Sequence, residues 1–210
     1  MNHKSCVIVA NGEFPSSEKV INRIKEAKYV IACDGAAINL HKHGLKMDAI
    51  VGDLDSFPPE LKERYRDIIH KVSEQDTNDL SKATRHALSM GIKEILIVGA
   101  TGKREDHALG NISLLLDYAE KFDHVEMLSD YGSFQPLLKT RTIRCKSYQQ
   151  ISIISLTPEA LISTEGLKWE LKNRRLTSWW QGTLNEALSD SFTITLSENS
   201  KVLIYLAETL

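Results

Sequence analysis

The chain has 210 residues, of which 42 % are hydrophobic and 26 % charged, and its formal net charge is −2 at pH 7. A chain of this length buries a sizeable core, in one large domain or two small ones. The near-zero charge provides no basic field for nucleic acid or anionic lipid, and no uninterrupted apolar run is long enough to predict a membrane span.

The first 130 residues alternate between short apolar runs and segments of helical periodicity. The apolar runs predict buried strands at residues 6–10, 29–33, 47–51, 68–69, 95–98 and 125–128. Helices are predicted between them, at residues 16–27, 36–44, from 58 onward, 78–90 and 108–122. Continuous apolar strands that alternate with helices predict an α/β fold with a parallel sheet covered on both faces.

The pattern changes after Asp130, where helical periodicity is largely lost. Strand-like segments follow at residues 150–156, 166–171, 191–196 and 201–206, separated by clusters of Pro, Gly, Asn and Ser. This arrangement predicts a C-terminal antiparallel β-sandwich domain or a small barrel. We therefore expect an α/β domain over residues 1–132 and a β domain over residues 133–210.

Acidic side chains follow or flank most of the predicted parallel strands. In parallel α/β sheets, ligands bind beyond the carboxyl ends of the strands, so acidic residues there are informative. Taken singly, each of these residues has a structural alternative as a helix N-cap or a turn residue. They are Asp34, Asp53, Asp55, Asp76, Asp79 and Asp106.

Asp53 and Asp55 are the strongest indication of a metal. On an extended chain, residues spaced i, i+2 point to the same face, and two carboxylates on one face repel each other. A hard cation relieves that repulsion, and magnesium typically takes one or two carboxylates together with waters and substrate phosphates. The pair therefore predicts bound Mg²⁺.

A glycine loop, Gly99-Ala100-Thr101-Gly102, precedes the helix predicted at 108–122. Its glycines allow backbone N–H groups to approach an anion, and Lys103 and Arg104 add positive charge. Lys82, near the start of an earlier helix, can reach a phosphate. The spacing differs from that of a P-loop, so a P-loop nucleotidase is not predicted. The sequence thus predicts a magnesium-dependent enzyme that handles a nucleoside triphosphate.

Other reactive residue types favour structural roles. Cys6, Cys33 and Cys145 are widely spaced and odd in number, which predicts buried apolar residues and a reducing, cytoplasmic location. The histidines at 41, 43 and 86 lack a zinc spacing. Trp169, Trp179 and Trp180 favour core or interface positions, with stacking on an aromatic ligand as the alternative.

Four motifs together resemble the thiamine pyrophosphokinase family. They are Asp34-Gly35-Ala36-Ala37, Gly52-Asp53-Leu54-Asp55-Ser56, Asp76-x-x-Asp79-x-x-Lys82 and Gly99-x-x-Gly102-x-Arg104-x-Asp106-His107. Their shared order and spacing are more specific than any one motif. A Gly166-Leu167-Lys168-Trp169 stretch is similar to an element of the family's second domain.

The resemblance implies transfer of pyrophosphate from ATP to the hydroxyethyl group of thiamine, giving thiamine diphosphate and AMP. It also implies Mg²⁺ as cofactor and a homodimer, with thiamine bound where the β domain of one subunit meets the α/β domain of the other. The implied catalytic residues around Mg-ATP are Asp53, Asp55, Asp76 and Asp79, with Asp53, Asp55 and Asp79 as metal ligands. The implied ATP-binding residues are Asp34, Lys82, Thr101, Gly102, Arg104, Asp106, His107 and Asn111.

For thiamine, the resemblance implies contacts from Asn185 and Trp180. The family often has Ser-Asn in this region, whereas this chain has Leu184-Asn185, so the serine hydroxyl is missing. Two other functions remain open. Asp53-Leu54-Asp55 after a strand also resembles the pattern of aspartate-based, Mg-dependent phosphohydrolases, and a non-enzymatic nucleotide or thiamine sensor would use the same residues to bind ligand without forming AMP.

Overall fold

The computed structural model describes residues 4–55 and 57–208. The chain divides into two compact units. The first contains the described residues up to Leu114 together with Lys121–Asp130, and the second contains Leu115–Glu120 and the chain from Tyr131 onward. In the described ranges, no helix combines the length and apolar character needed to span a membrane.

The N-terminal part of the chain alternates strands and helices, as its apolar periodicity predicts. The strands are β1 (Ser5–Val9), β2 (Val30–Cys33), β3 (Ala49–Gly52), β4 (Ile69–Lys71), β5 (Glu94–Val98) and β6 (His124–Ser129). The helices are α1 (Glu18–Lys25), α2 (Ala36–Lys42), α3 (Pro59–Arg64), α4 (Asp79–Ser89) and α5 (Glu105–Ala119), with a 3₁₀ turn at Arg66–Ile68. Helix α5 begins three residues earlier than the periodicity predicts.

The six strands of this part form a parallel sheet in the order β6-β5-β1-β2-β3-β4. All four residues of β2 and of β3 are buried, which explains their uninterrupted apolar sequences. The chain builds outward from β1 to β4 and then returns to the other side of β1 with β5. This reversal of strand order places a topological switch point at the carboxyl ends of β1 and β5, where ligands bind in open α/β sheets.

The N-terminus of α1 is held by a residue distant in sequence. Ser17 occupies the N-cap position, but its side chain makes no capping hydrogen bond. Asp130 instead accepts hydrogen bonds from the backbone N–H and hydroxyl of Ser16, both at 2.8 Å, and from the N–H of Ser17 at 3.1 Å. A carboxylate near a helix N-terminus is also favoured by the helix dipole.

The second unit is an antiparallel β-sandwich, which confirms the predicted fold class. Its strands are β7 (Gly132–Leu137), β8 (Arg141–Arg144), β9 (Gln150–Ser155), β10 (Ile162–Glu165), β11 (Asn185–Glu186), β12 (Ser191–Leu196) and β13 (Val202–Ala207). One sheet has the order β11-β9-β13-β7 and the other β10-β12-β8. Buried side chains from both sheets, such as Ile153, Phe192 and Ile204, form one core.

Residues 166–171 are not a strand, contrary to the sequence-based prediction. In this segment Leu167 forms only an isolated bridge with Ala187, while the side chain of Glu170 accepts hydrogen bonds from the N–H groups of Gly166 and Leu167. These bonds turn the chain back on itself, so the segment is a loop, and its apolar residues pack against the core from that loop.

Candidate functional site

A cavity of about 690 Å³ opens at the carboxyl edge of the parallel sheet, at the switch point. Residues after β1, after β5 and at the starts of α4 and α5 line it. The lining includes Asn11, Gly12, Asp53, Gln75, Asn78, Asp79, Lys82, Thr101, Lys103, Arg104, Asp106, His107 and Asn111. The cavity therefore brings together most of the residues that the sequence motifs single out.

Asp34 lies directly after β2 and is not among the residues that line the cavity, but its pKa is raised. Its Oδ1 atom is buried, and no described group donates a hydrogen bond to it. Burial, followed by the charges of Asp79, Asp53 and Asp55, raises the pKa of Asp34 to about 6, and Lys82 opposes this rise. Each of these three carboxylates therefore acts electrostatically on Asp34.

The backbone around Asp34 explains why glycine follows β3's apolar run. Asp34 has a φ of 27°, and its N–H donates to the carbonyl of Val51 at 2.9 Å. A Cβ atom at Gly52 would lie 2.7 Å from the Cβ of Asp34. Only glycine permits the third strand to approach this closely.

Asp53 and Asp55 do not lie on an extended chain, so the predicted i, i+2 alignment is wrong. Leu54 has a φ of 62° and is buried in the core, which turns the chain between the two acids. The N–H of Asp55 donates to Oδ1 of Asp53 at 3.1 Å. This bond, with one from the Gln75 amide, lowers the pKa of Asp53. Asp53 lines the cavity, whereas Asp55 is exposed beside it.

The loop between β4 and α4 contributes Gln75, which the sequence motifs do not single out. Its Nε2 atom donates to Oδ2 of Asp53 at 3.3 Å and joins the lining of the cavity. Asp76 is exposed, and its side chain is not part of that lining. An amide next to an Asp-x-x-Asp motif was the only sequence signal available for Gln75.

Helix α4 presents one acid and one buried base to the cavity. Asn78 is its N-cap and accepts a hydrogen bond from the N–H of Ser81 at 2.9 Å. Asp79 begins the helix, and its Oδ1 atom lies 3.3 Å from Nζ of Lys82, whose side chain is only 2 % exposed. Removing one partner of a buried ion pair is strongly destabilising, so Lys82 and Asp79 depend on each other here.

The glycine loop supplies the basic side of the cavity. Gly102 has a φ of 88°, and a Cβ there would lie 2.5 Å from the carboxylate of Glu13, so glycine is required. Arg104 forms a two-point ion pair with Asp106, with distances of 3.1 and 2.6 Å. Both side chains are mostly exposed, so Arg104 remains accessible to an anion.

Two asparagines connect this loop to helix α4. Asn111 donates to the carbonyl of Ala100 at 2.8 Å and accepts from the amide of Asn78 at 3.0 Å. Thr101 and the exposed His107 complete the lining on this side. The structure therefore brings Thr101, Gly102's loop and Asn111 together with Lys82 around one cavity.

The donor set of the cavity suits a hard cation. Asp53, Asp55 and Asp79 each repel Asp34, and no group in the described residues donates to one buried carboxylate oxygen of Asp34. In the described parts of the chain, no three His, Cys, Asp or Glu side chains converge closely enough to hold a metal by themselves. Mg²⁺ in nucleotide sites typically needs only one or two carboxylates, because phosphates and waters complete its shell.

In the second unit, Asn185 and Trp180 have different surroundings. Asn185 is buried, and its amide accepts from the N–H groups of Trp169 and Glu186 and donates to the carbonyl of Trp169, at 3.1, 2.8 and 2.8 Å. These bonds fix the local backbone. Trp180 is 74 % exposed, and Leu184, in the position where the family often has serine, is 72 % exposed.

Comparison with known proteins gives one consistent result. A model described as the thiamin pyrophosphokinase catalytic domain matches residues 20–127, and one described as the substrate-binding domain matches residues 132–205. Thiamine pyrophosphokinase 1 of Oryza sativa subsp. japonica is 35 % identical over 144 residues, covering 61 % of this chain and 54 % of the rice protein. The matched part thus spans about half the length of that relative, and the same holds for thiamine pyrophosphokinase 2 of Arabidopsis thaliana, which is 31 % identical over 62 % of this chain and 54 % of its own length.

Solved structures show the same fold over nearly the whole chain. The Bacillus subtilis thiamine pyrophosphokinase superposes with a TM-score of 0.83 at 23 % identity, covering 99 % of this chain and 100 % of the other. The Geobacillus thermodenitrificans protein gives a TM-score of 0.81 at 25 % identity, covering 98 % of both chains.

Proposed function

The chain belongs to the thiamin pyrophosphokinase family, and we propose that it transfers pyrophosphate from ATP to the hydroxyethyl group of thiamine, giving thiamine diphosphate and AMP. The observation that carries this proposal is the cavity at the switch point, where Asp53 and Asp79 line the same space as Lys82 and Arg104. Acids that can hold a metal and bases that can bind phosphate, together in one cavity, suit a metal-bound polyphosphate. The family matches give no support to the phosphohydrolase alternative.

In this proposal, the phosphates of ATP bind between the glycine loop and α4. Lys82 is fixed by its ion pair with Asp79, and Arg104 is oriented by Asp106, so both cations are held in place before the substrate arrives. Arg104 can bind two phosphate oxygens at once because its guanidinium is planar. Thr101, His107 and Asn111 are proposed to line the nucleotide, and Asp34 stays a predicted ATP-binding residue from its motif.

One or two of the predicted metal ligands, Asp53, Asp55 and Asp79, are proposed to hold Mg²⁺, which would neutralise charge on the phosphate oxygens of ATP. The buried oxygen of Asp34, to which no described group donates, supports this assignment, since a cation nearby would offset the repulsion between Asp34 and the other three carboxylates. The bond from Gln75 fixes the orientation of Asp53. Asp76 stays a predicted catalytic residue, and only its place in the Asp76-x-x-Asp79-x-x-Lys82 motif supports that prediction.

The proposed reaction is an in-line attack of the thiamine hydroxyl oxygen on the β-phosphorus of ATP. The new O–P bond forms as the bond from the β-phosphorus to the bridging oxygen of AMP breaks, and AMP leaves. A carboxylate of the cluster accepts the hydroxyl proton. Lys82 and Arg104 stabilise the charge on the transferred group and on AMP, so that positioning and electrostatics carry most of the catalysis.

Thiamine recognition and assembly are proposed to involve the second unit. Trp180 is exposed and can stack on an aromatic ring, as Trp169 and Trp179 can, at 56 % and 51 % exposure. Asn185 is better suited to fixing this segment than to contacting thiamine, because its amide is already engaged. Exposed aromatic side chains also support a homodimer, which light scattering would test. The three free cysteines support a cytoplasmic location.

A product assay with ATP, Mg²⁺ and thiamine tests the proposed reaction. AMP together with thiamine diphosphate is expected, whereas ADP with a monophosphate, or phosphate release without thiamine, would refute it. Asp55→Asn should lower turnover by about 100-fold or more if Asp55 holds the metal. Asp67→Asn is the matched control, because Asp67 is 93 % exposed and outside the cavity. Normal turnover of a folded Asp55→Asn protein would remove Asp55 from the metal site.

A further inference from the structure

The loop between β4 and α4 is organised by one carboxylate that the proposed reaction does not use. Oε2 of Glu74 accepts the backbone N–H groups of Asp76 at 2.9 Å and of Thr77 at 3.1 Å. Its Oε1 atom accepts the Thr77 hydroxyl and Nη2 of Arg85. A carboxylate that accepts four hydrogen bonds fixes both the loop and itself.

Arg85 ties this loop to the second turn of α4. Its Nη2 atom binds Glu74 and also donates to the hydroxyl of Thr77 at 3.0 Å, so the three side chains form a closed triangle. We refer to Glu74, Thr77 and Arg85 as the Glu74 cluster. The side chain of Glu74 is 33 % exposed and that of Arg85 50 %, so the cluster lies at the surface beside the cavity.

Along the chain, the residues that face the cavity lie between members of the Glu74 cluster. Gln75 lies between Glu74 and the bonded N–H of Asp76, and its amide donates to Asp53. Asn78 and Asp79 follow Thr77 directly, and both line the cavity. Bonds on either side of Gln75 therefore fix the direction of its side chain, and through it the orientation of Asp53.

We propose that Glu74 is a positioning residue, which holds the β4–α4 loop so that Gln75 orients Asp53 and α4 presents Asp79 to the nucleotide phosphates. This inference rests on the proposed function for its consequence in catalysis, but not for the order of the loop. The hydrogen bonds to Thr77 and Arg85 also lower the pKa of Glu74 to about 2, so the carboxylate stays ionised throughout the neutral range.

Amide hydrogen exchange tests the order of the loop without reference to any reaction. Glu74→Ala should raise the exchange rates of the Asp76 and Thr77 amides by about tenfold or more, because their acceptor is lost. Glu74→Gln keeps one acceptor oxygen, so its exchange rates at these two amides should lie between those of Glu74→Ala and the wild type. Glu63→Ala is the matched control, since Glu63 also pairs with an arginine, Arg66, at 2.8 Å on the exposed surface.

Calorimetric binding of ATP at graded Mg²⁺ concentrations tests the positioning role. In Glu74→Ala, the Mg²⁺ concentration for half-maximal ATP binding should rise by about tenfold, and kcat should fall by about 10- to 100-fold. A smaller folded fraction would lower the amplitude of binding without moving that midpoint. Arg85→Ala should shift the midpoint in the same direction by a smaller factor, because Glu74 keeps its backbone bonds.

Each outcome decides the inference. Unchanged exchange of Asp76 and Thr77 in Glu74→Ala would overturn the ordering role, and faster exchange with a wild-type Mg²⁺ midpoint would overturn the positioning role. If the wild-type protein forms no AMP with thiamine, the proposed reaction fails, while the exchange and binding measurements still decide the role of Glu74.

Discussion

Replacing Asp34 with asparagine should stabilise the metal-free protein at alkaline pH. Asp34 has a raised pKa, about 6 against 3.8, because burial and then the charges of Asp79, Asp53 and Asp55 disfavour its ionised form. The contribution of this group to folding stability is therefore fully present below pH 3.8 and is lost as the pH rises through about 6. Asparagine carries no charge and tolerates the positive φ of this position, so the variant avoids that loss.

The magnitude follows from the size of the pKa shift. A shift of about two units corresponds to about 3 kcal/mol when the interaction is unscreened. Asp34 is only partly buried, and solvent screening reduces the effect to roughly 1–1.5 kcal/mol. Much of this effect should develop between about pH 4.5 and pH 8. The free energy of unfolding of Asp34→Asn, relative to that of the wild type, should therefore be about 1 kcal/mol higher at pH 8 than at pH 4.5.

Urea unfolding in the presence of EDTA measures this difference. A change of about 1 kcal/mol moves the midpoint by roughly 0.5 M urea at a slope of about 2 kcal/mol/M. Asp67→Asn serves as the control, since it removes a carboxylate that is 93 % exposed and does not line the cavity. If Asp34→Asn and the wild type differ by the same free energy at both pH values, the electrostatic account of this acid cluster is wrong.

Three further substitutions test the packing and charge of the two units. Gly52→Ala should lower the free energy of unfolding by about 1–3 kcal/mol, because the added Cβ would lie 2.7 Å from that of Asp34; thermal unfolding would show it. Asn185→Ala should cost about 2–3 kcal/mol in urea unfolding, since it leaves backbone groups of the Trp169 segment without partners. Lys82→Met should raise the pKa of Asp34 further, because Lys82 lowers it in the wild type, and the NMR titration of Asp34 would show the midpoint move upward.

Local sequence determined the architecture of the first unit. The apolar runs that become β2 and β3 are buried on both faces, so hydrophobicity alone identifies them. The second unit was harder to predict. Strand β7 contains Pro136, which lies opposite Leu203 of β13, and β8 is Arg-Thr-Ile-Arg, so neither has the composition of a typical strand. Their pairing depends on neighbours distant in the chain.

In the candidate site, too, some features follow from local sequence and others from the tertiary structure. The sequence by itself determined which acids follow the parallel strands, because strand ends and glycine turns are local features. Only the tertiary structure decided how those acids are arranged: Leu54 is buried in the core with a positive φ, so the chain turns between Asp53 and Asp55, and the loop bonded to Glu74 brings Gln75 to Asp53. Likewise, the amide of Asn185 is engaged by a segment 16 residues away. Spacing along the chain identifies candidate ligand-binding residues. Hydrogen bonds between distant segments determine which of their atoms remain available to bind a ligand.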